Sequence, residues 1–114
     1  MKFEELDEFK KDMKGLLKKY KSLREDLLVV KKVLMIMPDE RPPFSFQIDH
    51  ASVAARIIKV RKIACKSLKG EGVNSGLRLI YAHFKKEKRI VMIGLYDRND
   101  KQHSDRKMLF RKFH

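Results

Sequence analysis

A change in the spacing of the apolar residues divides the chain at about Arg56. Before that point, apolar side chains recur every three or four positions, which is typical of one face of an α-helix. They form two groups: Phe9, Met13, Leu16, Leu17 and Tyr20, then Leu23, Leu27, Val30, Leu34 and Met37. After it, they alternate with polar residues, which is typical of β-strands. This order of patterns predicts an α+β fold with the helices first and the sheet second.

The two helical groups are predicted to form an antiparallel hairpin, because only a short break separates them. At the break, Ser22 and Glu25 have the spacing of a capping box, in which each side chain satisfies a free backbone N–H of the new helix. Pro38 is predicted to end the second helix, because proline has no N–H to donate. Residues 38–52 hold all three prolines and are predicted to be an irregular connector.

The second half is predicted to form three antiparallel strands, at about residues 56–61, 77–84 and 89–96. A short edge strand is predicted at residues 1–5. Ser104 is predicted to cap a short C-terminal helix with Phe110 and Phe113 on one side. The helical hairpin is expected to cover one face of this small antiparallel sheet and to leave the other face free. A chain of 114 residues is expected to form a single domain, residues 1–114.

Positive charge is concentrated in the second half of the chain. Residues 50–114 carry 17 Lys and Arg against 5 Asp and Glu, whereas residues 1–49 carry 11 against 10. Such an excess of one sign repels itself and therefore favours a polyanionic partner. Nucleic acid, and RNA above all, is the first candidate for that partner.

Other classes of protein are disfavoured by the sequence. The longest apolar run, Val33–Met37, is too short to span a bilayer, so no membrane partner is expected. The lone Cys65 cannot form an internal disulfide, which fits a reducing cytosol and predicts a cytoplasmic protein. Neither this cysteine nor the four histidines have the spacing of metal ligands, so no metal site and no small-molecule cofactor are expected.

Alternation along the strands predicts which side chains share the free face. Lys59, Arg61 and Arg78 are predicted to point to it, because their neighbours in the strands are the better core residues. On the last strand the predicted inward residues are Val91, Ile93 and Leu95, and the predicted open-side residues are Met92, Gly94 and Tyr96. Gly94 is expected to leave space beside the three cations. Cations that converge without an acidic neighbour predict a phosphate site, although a solvated strand face explains Lys59 and Arg61 equally well.

Residues 57–106 resemble the core of the RelE/ParE superfamily, the bacterial and archaeal toxins of type II toxin–antitoxin modules. The resemblance lies in a K-x-R pair on a strand, the strand S-G-L-R-L-I-Y, the hydrophobic strand after it and the tail Y-D-R-N-D-K. It implies a RelE-like fold of the microbial RNase type. It also implies a ribosome-dependent mRNA endonuclease that cuts the A-site codon and is silenced by an acidic antitoxin.

The reaction implied by the resemblance is attack of a 2′-hydroxyl on the adjacent phosphate, which needs a base, cations for the phosphorane charge and an acid. By position, Lys59 and Arg61 match the strand lysines of the family, and Arg78 matches its strand arginine. Arg61 and Arg78 are predicted to clamp the phosphate, and Lys59 is predicted to be the base. The predicted catalytic residues are Lys59, Arg61, Arg78, Tyr96, Lys101 and His103.

Further basic residues are predicted to contact the RNA backbone without reading its sequence. They are Arg56, Lys62, Lys66, Lys69 and Arg98. A solvated loop explains Lys62, Lys66 and Lys69 equally well. Two other functions remain open: a ParE-like toxin that inhibits DNA gyrase without catalysis, and an RNA-binding or inactivated member of the fold. The exposed part of the helical hairpin, or Phe110 and Phe113, is expected to contact the antitoxin.

Overall fold

The computed structural model describes residues 1–52, 54–68, 70, 72, 74–100 and 102–111, with the backbone alone for residues 50–52. Lys69, Lys101 and Phe113, which carry predictions above, lie outside the described residues. The elements in chain order are β1 (Lys2–Glu5), α1 (Asp7–Leu17), α2 (Leu23–Ile36), β2 (Ser45–Ser52), β3 (Ala55–Val60), β4 (Leu77–Phe84), β5 (Arg89–Asp97) and α3 (Asp105–Leu109).

Five strands form one sheet in the order β1-β5-β4-β3-β2. Strands β2 to β5 pair antiparallel, and β1 pairs parallel to β5. The predicted α+β class, the two N-terminal helices and the short C-terminal helix are confirmed. The sheet is mixed rather than purely antiparallel, because the edge strand β1 runs in the same direction as its neighbour.

The prediction of an irregular connector at residues 38–52 is wrong for the second half of that segment. All three prolines come before Phe44, so they leave the backbone N–H groups of the following residues free to pair. Those residues form β2, which pairs with β3 through a register with two irregularities. The prolines therefore mark only the first part of this segment as non-regular.

Helices α1 and α2 cover one face of the sheet. The core on this face combines apolar residues of both helices with alternate residues of the strands: Phe9, Leu23, Leu27, Val30, Leu34, Ile58, Val60, Leu77, Leu79, Tyr81, Met92 and Leu95. The helices run antiparallel, since Lys31 in the second half of α2 forms an ion pair with Glu5 at the start of the hairpin.

The predicted capping box at Ser22 and Glu25 is wrong. Ser22 has helical backbone angles and no side-chain cap bond. Its hydroxyl instead donates to Asp26 at 2.7 Å and accepts from the backbone N–H of Ser67 at 2.9 Å. Ser22 therefore ties the start of α2 to the segment after β3.

The second face of the sheet is not free as predicted. It carries a second core that packs against α3: Ala55, Ile57, Ile80, Ala82, Phe84, Val91, Ile93, Tyr96 and Met108. Every residue of β4 is buried, which a strand with one solvated face would not show. The open part of this face is limited to the end of the sheet beside the N-terminus of α3.

An irregularity in β5 reverses part of the predicted alternation. Ile80 is paired with Gly94 but the next residue, Tyr81, is paired with Met92, so Ile93 is an extra residue in the ladder. Met92 consequently faces α1 and α2, and Val91 and Ile93 face α3. The prediction had placed these three residues on the opposite faces. A bulge of this kind leaves no mark in a regular pattern of apolar residues.

Gly94 makes room for α3 and not for a ligand beside the cations. A Cβ on Gly94 would lie 2.1 Å from Sδ of Met108, which is fully buried. Beyond Met108, Arg111 donates to Asp12 of α1 at 2.6 Å and to the carbonyl of Ile93 at 3.0 Å. The packing of Met108 and the ion pair between Arg111 and Asp12 thus hold the C-terminal segment against the sheet.

Candidate functional site: a cationic cleft

A cleft of about 470 Å³ opens where the ends of β3, β4 and β5 meet the start of α3. We call it the cationic cleft; its lining residues are Lys59, Arg61, Arg78, Tyr96, Arg98, His103, Ser104, Asp105 and Arg106. Among the described residues, the lining carries five Lys and Arg side chains and a single carboxylate. Such a surface attracts anions.

The sheet brings several of the predicted site residues together in this cleft. Arg78 is paired with Tyr96 in the register of β4 and β5, and Lys59 is on the adjacent strand β3. Arg61 follows β3 directly, and Arg98 follows β5. Of the residues predicted as catalytic, Lys101 is the one whose position is not described.

Other residues predicted to bind RNA lie away from the cleft. Arg56 is paired with His83 on the face of the sheet that the helices cover, and it forms an ion pair with Glu40 at 3.0 Å. Lys62 donates to the side chain of Asn74 at 3.3 Å. Lys66 forms an exposed ion pair with Glu25 at 3.4 Å.

Arg78 is a buried cation, with only 9% of its surface exposed. Its Nη1 donates to the carbonyls of Leu77 at 3.1 Å and Arg61 at 3.2 Å. Burial lowers the pKa of Arg78, and the nearby charges of Arg61 and Arg98 lower it further. The guanidinium remains charged at neutral pH, because arginine titrates far above it. Arg78 makes no ion pair with a described carboxylate, although the nearby charge of Asp105 offsets part of the lowering of its pKa. An incoming anion would relieve the remaining repulsion.

Two further arginines stand beside Arg78. The guanidinium of Arg61 lies 5.4 Å from the ring centre of Phe46, a cation–π contact that holds the side chain near β2. The backbone N–H of Arg98 donates to the carbonyl of Gly76 at 2.8 Å. The residue before Arg98 is held as well, because Asp97 accepts a hydrogen bond of 2.6 Å from the buried Tyr20. The core thus fixes the backbone that carries Arg98.

Asp105 lies in the cleft, and sequence reasoning missed it. Its Oδ2 accepts a hydrogen bond from Nζ of Lys59 at 2.6 Å, and its Oδ1 accepts one from the hydroxyl of Tyr96. The prediction that the cations converge without an acidic neighbour is therefore wrong. The pattern of the sequence placed Asp105 in the last helix, but it did not show that this helix covers the sheet.

Tyr96 keeps its proton at neutral pH. Burial raises the pKa of the phenol well above its usual value, and the hydrogen bond to Asp105 raises it further. Because the phenol donates its proton to the carboxylate, its oxygen lone pairs remain available to accept from another group.

His103 lines the same cleft from the segment after β5. Its Nδ1 is 3.0 Å from Oδ2 of Asp100, whereas its Nε2 is 3.6 Å from Oδ1 of Asp12, beyond hydrogen-bond distance. The backbone N–H of Gln102 lowers the pKa of Asp100, and the contact with His103 lowers it further. Asp100 is thus a charged partner that orients the imidazole.

The described part of the chain has neither a cluster of metal-ligating residues nor a helix suited to a bilayer. No group of three or more His, Cys, Asp or Glu residues there could hold a metal ion. No described helix is both long and apolar enough to cross a membrane.

Comparisons with known proteins bear on the fold. No protein-family model matches the sequence, and no curated protein matches it. Among solved structures, the archaeal RelE–RelB complex from Pyrococcus horikoshii OT3 contains a similar chain, with a TM-score of 0.60 and 17% sequence identity. The likeness covers 86% of this chain and 94% of that chain. This protein has a RelE-like fold. The resemblance seen in the sequence is thereby confirmed at the level of the fold.

Proposed function

We propose that this protein is the toxin of a toxin–antitoxin module and that it cuts mRNA in the ribosomal A site. The reaction is attack of a 2′-hydroxyl on the adjacent phosphorus, with breakage of the bond from phosphorus to the 5′-oxygen. The observation that carries the proposal is the cationic cleft, in which five basic side chains meet beside a phenol and an imidazole on a RelE-like sheet.

Arg61, Arg78 and Arg98 are assigned to the phosphate. Guanidinium groups bind phosphate oxygens through two parallel hydrogen bonds, and they stabilise the charge that grows on a pentacoordinate phosphorane. Arg78 is the most buried of the cleft's basic residues, so its charge is the least screened by water. We therefore expect Arg78 to contribute the most to the rate.

Two residues are assigned to proton transfer. The phenol of Tyr96 stays protonated at neutral pH, so it can donate to the departing 5′-oxygen once its hydrogen bond to Asp105 is released. His103 is assigned as the base for the 2′-hydroxyl, because Asp100 orients its ring through Nδ1 and Nε2, at 3.6 Å from Asp12, is beyond hydrogen-bond distance of that carboxylate. Lys59 donates a hydrogen bond to Asp105, so we assign it to charge stabilisation and not to the base role expected from the sequence.

The experiment is cleavage of an mRNA on programmed ribosomes by the wild-type protein, Arg78→Ala and Arg24→Ala. Arg24 lies on α2, across the sheet from the cleft, and serves as the matched arginine control. We expect cleavage in the A site by the wild-type protein and by Arg24→Ala. Removal of Arg78 should lower the rate about 10²-fold or more while ribosome binding survives, since a buried donor to the transition state is lost.

Other results of the same assay would contradict the proposal. Cleavage by Arg78→Ala at the wild-type rate would show that the cleft is not the active site. Intact mRNA together with inhibited DNA supercoiling would identify a ParE-like gyrase inhibitor. Ribosome or RNA binding without any cleavage would identify an RNA-binding member of the fold, which the pairing of Lys59 with Asp105 favours.

The proposed partner that silences the protein is an acidic antitoxin. Helix α2 exposes a second apolar stripe opposite its buried face: Leu28, Val29, Met35 and Ile36. Beside it, a groove of about 670 Å³ between α1 and α2 has an apolar floor and basic residues at Lys10, Lys14, Arg24 and Lys31. An acidic amphipathic segment would match both the apolar area and the charge. Phe110 is also 77% exposed and remains a second candidate contact.

A further inference from the structure

The carboxylate of Asp105 occupies a place in the cationic cleft that a phosphate would be expected to take. Both of its oxygens are used, one by the ammonium of Lys59 at 2.6 Å and the other by the hydroxyl of Tyr96. These are two donors that face the cleft beside the arginines. A phosphodiester oxygen would make the same two hydrogen bonds.

Asp105 and a phosphate cannot share these donors. Two anions at contact distance repel each other, and the repulsion is strong where water is partly excluded. The side chains of Lys59 and Asp105 are only 20% and 31% exposed. While Asp105 holds Lys59 and Tyr96, an RNA phosphate can therefore bind only on the arginine side of the cleft.

Release of Asp105 does not require α3 to leave the sheet. The helix is held independently by Met108, which is fully buried against Gly94, and by the ion pair of Arg111 with Asp12. Asp105 is the first residue of α3, so rotation of its own side chain is enough to free Lys59. The ion pair of Lys59 is thus exchangeable, whereas the position of the helix is fixed.

We propose that Asp105 is an internal competitor of RNA phosphate for Lys59 and Tyr96. It lowers the affinity of the free protein for RNA, and it yields these two donors only to a phosphate already held by Arg61, Arg78 and Arg98. The inference rests on the proposed function for the identity of the ligand, but it concerns binding and not cleavage. The two are therefore tested separately.

The test is binding of a 2′-O-methyl RNA oligonucleotide, which cannot be cut, measured by fluorescence anisotropy in about 0.1 M salt. The proteins are the wild type, Asp105→Asn, Lys59→Ala and the double variant. Glu8→Gln is the charge-matched control, because Glu8 is exposed on α1 and does not line the cleft. It removes the same charge without freeing Lys59.

We expect Asp105→Asn to bind about fivefold more tightly, which is the effect of one additional phosphate contact to a single strand at this salt concentration. The slope of log affinity against log salt should become steeper by about 0.7. Glu8→Gln should change the affinity less than twofold and leave the slope unaltered. Lys59→Ala should have little effect alone but should abolish the gain in the Asp105→Asn background.

Several outcomes would overturn the inference. They are equal gains in Asp105→Asn and Glu8→Gln, weaker binding by Asp105→Asn, an equal loss from Lys59→Ala in both backgrounds, or no RNA binding by any variant. If Asp105→Asn unfolds at a lower temperature than the wild type, Asp105→Ala is measured against the same criteria. Failure of the wild-type protein to cut mRNA would contradict the proposed function and would leave this binding comparison intact.

Discussion

Single side chains explain both the charge and the chemistry of the cleft. Arg78 is held on a central strand with its guanidinium mostly buried and close to two other arginines, which lowers its pKa. A charge in such a place weakens the fold unless a partner compensates for it. Lys59 shows the opposite arrangement, because Asp105 already compensates its charge. The cleft therefore contains one cation, Lys59, that is already in an ion pair, beside Arg78, which forms no ion pair with a described carboxylate.

Tyr96 predicts a specific dependence of stability on pH. Its pKa is raised in the folded protein, so the folded state binds the phenolic proton more tightly than the unfolded state. The resulting stabilisation is complete below about pH 10, the usual pKa of tyrosine, and is lost as the pH rises through the folded-state pKa. Tyr96→Phe should lose less stability between about pH 9 and 11 than the wild type, as measured by urea unfolding.

The comparison of Tyr96→Phe with the wild type isolates Tyr96 from other groups that titrate at high pH. Tyr20 and Tyr81 also have raised pKa values and contribute equally to both proteins. Parallel curves for wild type and Tyr96→Phe across this range would contradict the raised pKa of Tyr96 in the folded protein.

Among the elements, α3 decides where the candidate site can be. It covers the middle of the sheet face that the sequence had left free, and it restricts the open part to the ends of β3, β4 and β5. Its fit depends on the absence of a side chain at Gly94, where Met108 packs. A change at Gly94 should therefore act on α3 and, through it, on Asp105.

Gly94→Ala should lower the free energy of unfolding by about 1–3 kcal/mol, the range expected for overpacking a filled core. Gly15→Ala is the matched control, because nothing lies within 4 Å of a Cβ at that exposed helical position. It should raise stability by about 0.5–1 kcal/mol through helix propensity. Urea unfolding of the two variants checks both the expected fall and the expected rise in the free energy of unfolding.

A second substitution tests the cause of the loss. If the clash with Met108 is responsible, Met108→Ala should cost less stability in the Gly94→Ala background than in the wild type. Additive losses from the two changes would contradict the packing of Met108 against Gly94.

The sequence predicted the elements whose pattern is local and regular. Helices α1 and α2 and strands β4 and β5 were found because their apolar residues keep a constant period. The bulge at Ile93 and the strand after Pro43 broke that regularity, so the facing of Met92 and the existence of β2 were missed. Alternation along β4 was enough to predict which face of the sheet Arg78 is on. The contacts of Asp105 depend on how α3 packs against the sheet, and the spacing of apolar residues does not show that.

The whole molecule carries a net charge of +13, and nearly all of the excess is in the half that builds the sheet and the cleft. Like charges at this density repel one another across the surface. Folding brings them together, so the repulsion opposes the folded state until ions or a polyanion screen it. Under the proposed function, the same charge speeds the encounter with RNA.

Salt should therefore stabilise the free protein. Raising the ionic strength from about 0.01 M to 0.3 M shortens the screening length from about 30 Å to below 10 Å, and it should raise the unfolding temperature. The same change should weaken RNA binding steeply, because the release of counterions from RNA gains less free energy when the salt concentration is higher. Thermal unfolding and anisotropy over one salt series would show the two opposite trends. An unfolding temperature that falls as salt is added would contradict the claim that repulsion between like charges limits the stability of the fold.

The ends of the RNA product give the most direct test of the central claim. Attack by the 2′-hydroxyl leaves a 2′,3′-cyclic phosphate on the upstream fragment and a 5′-hydroxyl on the downstream fragment. Mass spectrometry of fragments cut on programmed ribosomes should therefore find this pair of ends at the A-site codon. Fragments that end in a 3′-hydroxyl and a 5′-phosphate, or mRNA that stays intact, would contradict the account.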